Sequence, residues 1–392
     1  MKAINKDILK LAIPSILANI TVPIVGMVDI AVAGHLDTQA AVMIGGIAIG
    51  TMLFDLLYWN FGFLRVGTGG LTAQAFGKGD RKECATIFAR AIGISLACAL
   101  ALIAIQWIFV KAAFLVVDCT PEVRALASQY FFIRIWAAPA TLSLMAFKGW
   151  FIGMQDSVSP MLTDLTVNGM NVLMSFVLAL GIKAVGYEGM GFPGIAAGTV
   201  AAQYSGLLVA VLLAVFKYRR NTFSTLSLSD LKGVFKGSET RRFFVMNTDL
   251  FVRSLCFIAI YIGFTVISAR YGDLLLAVSS IMMKLLMIFS YFTDGFAYAG
   301  EAMTGKYIGA KDAVMLRQTV KWTFVWSMGI ALIFIGIYHF AGVPLLRMMT
   351  SDVTVVEASR EYLPWLLLMP VIGCAAFTWD GIYIGATASK AI

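Results

Sequence analysis

Ten long apolar stretches, each closed by a short polar break, divide this chain. They run roughly over 8–36, 41–76, 84–115, 122–153, 158–181, 190–217, 241–270, 274–308, 314–348 and 354–387. Most exceed the roughly 20 residues a helix needs to cross a bilayer, so tilted helices reaching beyond the hydrocarbon are predicted. The breaks carry turn chemistry, as in Gly77-Lys78-Gly79-Asp80, Asp118-Cys119-Thr120-Pro121, Gly153-Met154-Gln155-Asp156 and Tyr271-Gly272-Asp273. An all-α, polytopic membrane protein follows from this pattern.

The pattern also repeats weakly. The stretch from Thr72 through Gly77 to Asp80 returns from Thr304 through Gly309 to Asp312. Ile152-Gly153 and Ser157 return as Ile384-Gly385 and Ser389. Each pair is separated by 232 residues, a common offset that predicts two pseudo-symmetric helical bundles with a site between them. The second copy stops just after its Ile-Gly element, so six spans are expected in the first bundle and at least four in the second.

Composition agrees. The chain has 392 residues, of which 60% are hydrophobic and 13% charged, where a soluble domain carries roughly a quarter charged residues. The net charge of +8 does not point to nucleic acid, because the basic residues sit in short loops without interleaved aromatics. One side collects Lys2, Lys6, Lys10, Lys78, Arg81, Lys82, Lys306, Lys311, Lys390 and the basic run from Lys217 to Arg242. The other side holds little beyond Lys183 and Arg270. The positive-inside rule then predicts a cytoplasmic N-terminus in a bacterial-type inner membrane. Residues 218–240 read as a cytoplasmic linker, with a short surface helix expected at Leu226–Leu231, between an N-lobe at 1–217 and an incomplete C-lobe at 241–392. The N-terminal apolar run, too long for a signal-peptide core and holding Pro14, Pro23 and Asp29, reads as an uncleaved first span. Five scattered cysteines and two histidines, His35 and His339, suggest neither a disulfide framework nor a metal site.

Chemistry is expected where ionisable groups interrupt apolar spans. A carboxylate in mid-span, such as Asp29, costs several kcal/mol if charged and unpaired, so it should face a cavity and exchange a proton. The fifth span offers Asn168 and Asn171, and the sixth offers Thr199 and Gln203. These are suited either to ions or to interhelical hydrogen bonds. The second half holds Asn247, Asp249, Arg253, Lys284, Asp294, Glu301 and Asp380. Asp294 and Glu301, seven apart, share a helix face. An Arg253–Asp294 or a Lys284–Asp380 pair is expected, either structural or lining a substrate path. Arg65 and Lys148 lie near span ends, where they can snorkel. Trp59, Trp107, Trp136 and Trp150 read as packing or interfacial residues. The 28 Phe and 20 Met suit either a cavity for lipophilic cations or ordinary helix packing.

Several strings resemble the multidrug and toxic compound extrusion (MATE) family in its DinF-like branch. They are Val28–Leu36, Phe61–Gln74, Trp150–Asp156, Phe289–Ala302 and Asp380–Thr387, and their order and spacing across the chain carry the resemblance. The family has twelve helices in two lobes of six. The chain is similar to the first ten, which implies a C-terminally truncated MATE-type fold. The resemblance also implies that Asp29 is the coupling carboxylate in a helix that bends at Pro14. It further implies that Asn171, Ser175 and Thr199 join Asp29 in a polar cation site. The family commonly has Asp where this chain has Ser175, which weakens a Na⁺ cage and favours H⁺ as the coupling ion.

The expected protein is therefore a monomeric secondary antiporter without a cofactor. It would export amphipathic, cationic organic compounds in exchange for H⁺, with Na⁺ as the less favoured ion. Its partners are the small organic substrate and the lipid bilayer. A lipid or glycolipid flippase of the same superfamily is one alternative, and would need a mid-depth Arg or Lys cluster to hold a pyrophosphate. An intramembrane enzyme is another, and would need His339 beside an acid or nucleophile.

Overall fold

The computed structural model of this chain describes residues 2–34, 40–182, 186–227, 233–235, 238–350 and 352–391. His35, Lys183, Lys232, Lys236 and most of the segment expected as a surface helix lie outside the described residues. The described residues are helical between loops, with a single isolated bridge pairing Ile182 and Tyr187. Ten helical stretches among them are long and apolar enough to span a membrane, within a few residues of the bounds expected from the sequence.

Three of those spans are interrupted. The first divides into α1 (Lys2–Ile20) and α2 (Val22–Gly34), the second into α3 (Ala40–Trp59) and α4 (Phe63–Gly77). The third, α5 (Arg81–Ala113), is continuous. The fourth divides into α6 (Pro121–Arg134) and α7 (Ala138–Gly153), joined by a turn of 3₁₀ helix ahead of Pro139. Then come α8 (Val158–Leu180), α9 (Phe192–Tyr218), α10 (Ser238–Arg270), α11 (Asp273–Gly309), α12 (Ala313–Met349) and α13 (Val353–Gly385). Starts follow from side-chain caps. The carboxylates of Asp80 and Asp312 accept from the backbone N–H groups of Glu83 and Met315, and Thr120 caps α6 with Pro121 in the first turn.

The expected bend at Pro14 is not where the first span breaks. Pro14 lies inside α1, and the break falls at Thr21, two residues before Pro23. Pro23 supplies no N–H for the carbonyl four residues earlier. Thr21 turns its own hydroxyl back to the Ala18 carbonyl at 2.7 Å.

The 232-residue repeat is present in the backbone, bond by bond. Asp80 N–H donates to Ala75 O, and Asp312 N–H donates to Tyr307 O. Asp156 N–H donates to Phe151 O, and Ala388 N–H donates to Tyr383 O. Left-handed backbone occurs at Gly79 and Lys311, and again at Gln155 and Thr387. Contacts repeat too. A Cβ on Gly77 would lie 1.9 Å from the Lys306 carbonyl oxygen, and one on Gly309 would lie 2.1 Å from that of Gln74. A Cβ on Gly149 would meet Arg65 O at 2.1 Å, and one on Gly381 would meet Ala297 O at 2.2 Å. The last turns of α4 and α11 thus lie side by side and parallel, and the pseudo-twofold axis runs between them along the bundle.

Each lobe's first helix leans on the other lobe. Ile4, Ile8 and Leu11 of α1 pack with Phe296 and Met303 of α11, and Met246 and Leu250 of α10 pack with Val66 and Leu71 of α4. At the end carrying Gly77 and Gly309, called here the basic end, polar bonds also cross between lobes. Gln74 Nε2 donates to Gly385 O and Thr387 Oγ1, each at 3.1 Å. Gln155 Nε2 donates to Ala302 O at 2.7 Å, and Trp326 Nε1 donates to Asn5 Oδ1 at 3.0 Å. The opposite end carries more cations than the loops alone suggest, since Lys111, Arg124, Arg347 and Arg360 sit in or near terminal turns. Trp150 is fully buried and donates to Cys84 O at 2.9 Å, whereas Trp107 and Trp136 are exposed.

Candidate functional site

Two polar clusters occupy the apolar spans. The first lies in the N-lobe. Asp29, on α2 two turns beyond the break, is buried and accepts a hydrogen bond from Ser175 Oγ of α8 at 3.1 Å. One turn earlier on α8, Asn171 Nδ2 donates to Thr199 Oγ1 of α9 at 3.0 Å, and that hydroxyl donates to Ile195 O at 3.3 Å. Asn171 Oδ1 is buried with no hydrogen-bond partner among the described residues. The structure thus brings Asp29, Asn171, Ser175 and Thr199 together as one carboxylate among neutral oxygens. Asn168 stands apart from this set. Its Nδ2 donates to Thr21 Oγ1, tying α8 to the helix break itself. Asn19, also near the break, reaches the Tyr291 carbonyl of α11 at 3.4 Å.

Arg134, in the last turn of α6, is the charged neighbour of this set. Its Nη1 donates to Tyr130 Oη at 3.0 Å, its guanidinium lies 4.8 Å from the Phe54 ring centroid, and its charge acts on both Asp29 and Asp55. A position at the end of α6, five residues before Pro139, was the available signal.

The second cluster straddles the lobes. Arg65 Nη1 of α4 meets Glu301 Oε2 of α11 at 3.1 Å, with the Glu301 side chain 1% exposed. Lys148 Nζ of α7 meets Asp164 Oδ2 of α8 at 2.7 Å. Arg253 Nη2 of α10 meets both carboxylate oxygens of Asp380 on α13, at 2.6 and 2.7 Å. The expected pairings are therefore corrected. Arg253 pairs with Asp380 rather than Asp294, because Asp380 offers it both carboxylate oxygens. Lys284 is exposed and makes no ion pair with Asp380. Arg65 and Lys148 do not snorkel to the span ends. Acids on neighbouring helices, the buried Glu301 and the half-buried Asp164, hold them inward, where both lie over the Tyr298 ring, at 4.5 and 5.9 Å. Asp294 and Glu301 share a face of α11 as expected.

Asn247 of α10 is buried with neither side-chain atom bonded among the described residues. A Cβ on Gly67 would lie 2.1 Å from its Oδ1. Asp249, one turn from Arg253, accepts from Ser389 Oγ at 2.6 Å. His339 is exposed and packs edge-on against Phe340, with no acid or nucleophile bonded to it among the described residues.

Known proteins share this fold. The MatE family profile matches residues 14–177 and 250–392, which covers both lobes. DNA damage-inducible protein F of Escherichia coli strain K12 is 32% identical over 98% of this chain and 81% of its own length. A probable multidrug resistance protein NorM of Photorhabdus laumondii is 24% identical over 97% of this chain and 82% of its own. Among solved structures, a MOP superfamily transporter from Pyrococcus furiosus superposes with a TM-score of 0.82 at 17% identity, covering 99% of this chain and 84% of that one. An outward-facing MATE multidrug resistance transporter superposes with a TM-score of 0.81 at 18% identity and the same coverage. The family profile on both lobes and the near full-length likeness to DNA damage-inducible protein F lead to one conclusion: the chain belongs to the MatE family, whose members are membrane transporters rather than enzymes.

Proposed function

We propose that this protein is an inner-membrane antiporter that exports amphipathic organic cations in exchange for protons, with its basic end in the cytoplasm. The observation that carries the reading is Asp29, a buried carboxylate on the short helix beyond a break and held by one neutral hydroxyl. An acid in that setting changes its need for hydrogen-bond partners when it gains a proton. Protonation turns one carboxylate oxygen from acceptor to donor and removes its attraction to Arg134, and so reweights the contacts of α2 against α8. The break at Thr21 lets α2 respond without moving all of α1. Bonds that cross the lobes at the basic end support a state closed on that side, and parting of the lobes at the glycine contacts would exchange access.

Sodium coupling is the second reading, and one observation favours it. The unpaired Asn171 Oδ1 lies with the Thr199 and Ser175 hydroxyls near Asp29, a set of hard oxygens. A single carboxylate in that set supports the proton more than the metal ion. A flippase has less support, because the central cations Arg65, Lys148 and Arg253 each hold a carboxylate already.

The test is efflux of ethidium from proteoliposomes under separately imposed pH and Na⁺ gradients. The pH gradient is expected to drive efflux, and Asp29→Asn to abolish the driven component. Driven efflux that persists undiminished in Asp29→Asn would remove the proposal, and drive by Na⁺ alone would select the second reading.

A further inference from the structure

A cavity of about 300 Å³ lies between α3 and α11, which hold equivalent places in the repeat. Trp59 of α3 and Met287 of α11 both line it, and Trp59 stands edge-on to Tyr261 of α10 at 5.7 Å. One turn from Trp59, away from the basic end, lies Asp55. One turn from Met287 in the same direction lies Lys284. Residues three and four apart share a helix face, so both charges stand on the rim of this cavity. The repeat gives the same depth by another route: shifted by 232 residues, Asp55 falls on Met287, one turn from Lys284.

Both side chains are exposed, and neither makes a hydrogen bond or an ion pair among the described residues. Lys284 nonetheless acts on Asp55 from the other lobe. Arg134 acts on it more strongly from within the N-lobe, but that guanidinium also serves Asp29, which leaves two acids to one cation there. Lys284 finds no partner along its own helix. The next acid of α11, Asp294, lies ten residues inward among Arg65, Lys148 and Arg253, roughly 15 Å away by helical rise. Whereas side-chain bonds cross the lobes at the basic end, none joins α3 to α11 among the described residues.

We infer that Asp55 and Lys284 are the two halves of a latch, which pair across the cleft when the lobes close at the end opposite the basic end. This rests on the exchange of access proposed above and adds the contact that holds its other state. While the cleft is open both charges are hydrated, so keeping them apart costs little. As the helices approach, water leaves, the local dielectric falls and their attraction grows. The two ends are then held by different means: direct backbone contact at the glycines on one side, and an ion pair at the cavity rim on the other.

The test reads distance rather than transport. Spin labels are placed at Leu115→Cys and Tyr271→Cys, exposed positions beyond α5 and α10, in the full chain with its five native cysteines replaced by alanine. Pulsed EPR in lipid nanodiscs is expected to resolve a long distance, that of the open cleft, and a shorter one. Asp55→Asn and Lys284→Gln are each expected to lower the short-distance fraction relative to the long one about fivefold. The double variant is expected to lose no more than either single one, since one pair is broken in all three. Both side chains are exposed, so the melting midpoint should not move. A short-distance fraction indifferent to either substitution overturns the latch and leaves the exchange of access standing. Losses that multiply to about 25-fold in the double variant overturn it too, because the residues would then act separately. A single long distance in the unsubstituted background overturns both the latch and the exchange of access on which it rests.

Discussion

The first helix of each lobe holds an equivalent place in the repeat, yet the two are built differently. Shifting the N-lobe by 232 residues places Thr21 on Arg253, Asp29 on Tyr261 and Lys148 on Asp380. In the N-lobe the helix is broken, and neutral hydrogen bonds hold both the break and the acid beyond it: Asn168 to Thr21 and Ser175 to Asp29. In the C-lobe α10 runs unbroken from Ser238 to Arg270, and a two-oxygen ion pair pins the residue standing where the break would be. Neutral bonds of about 1 kcal/mol rearrange readily, whereas separating a partly buried ion pair costs more. One copy is suited to change shape and the other to stay fixed.

The largest expected contrast is in transport. Asp29→Asn should abolish proton-driven efflux, while Tyr261→Phe at the equivalent place should leave it intact. Equal loss in both would mean the two helices are not functionally distinct.

Packing should show the opposite, a likeness rather than a difference. Gly149→Val and Gly381→Val each drive a side chain into a carbonyl of the adjoining helix. Each is expected to cost about 1–3 kcal/mol or more, read as a matched fall in melting midpoint in nanodiscs. A fall in only one would limit the symmetry to geometry.

A smaller difference separates the two pins. Arg253→Ala leaves Asp380 without its partner and should cost about 1–3 kcal/mol, against about 0.5–1.5 kcal/mol for Thr21→Ala. Thermal melts of the two variants side by side decide the order.

The smallest effect concerns a place where the repeat has diverged outside the membrane. Asp156 follows α7, and its equivalent is Ala388. Burial alone would push the Asp156 carboxyl up. Hydrogen bonds from Ser159 and the Lys217 ammonium at 2.9 Å outweigh burial and hold it below the usual carboxylate range. A lowered folded value means the stabilisation is present above the unfolded carboxylate value and disappears as pH falls through the folded one. Asp156→Ala should therefore melt earlier than wild type near neutrality, by about 1 kcal/mol, and match it in strong acid. A deficit that persists in acid would show the effect is not electrostatic.

Much of this fold could be read from the sequence because hydrophobic run length and turn residues are local signals. The ten spans and the turn residues that separate them needed no knowledge of neighbours. Asp29 was also legible, since a carboxylate amid apolar residues is conspicuous on its own. The ion pairs were not, because they depend on which way each helix turns its face. Arg253 found α13 rather than α11, and Lys148 found an acid on α8 that the chain reaches only after another turn. The break at Thr21 was hidden for a related reason. Pro14 and Pro23 look alike in sequence, and only the partners offered by Asn168 and Ala18 at Thr21 favour one place over the other.

The glycine seam at the basic end has a mechanical consequence. Gly77 and Gly309 rest directly on carbonyl groups of the opposite helix, with no intervening side chain to bend, stretch or re-seat as the halves part. Attraction between such surfaces falls away within about 1 Å of added distance. Under the proposed alternating access that closure would be brittle, holding fully or letting go, with few half-open forms through which ions would leak.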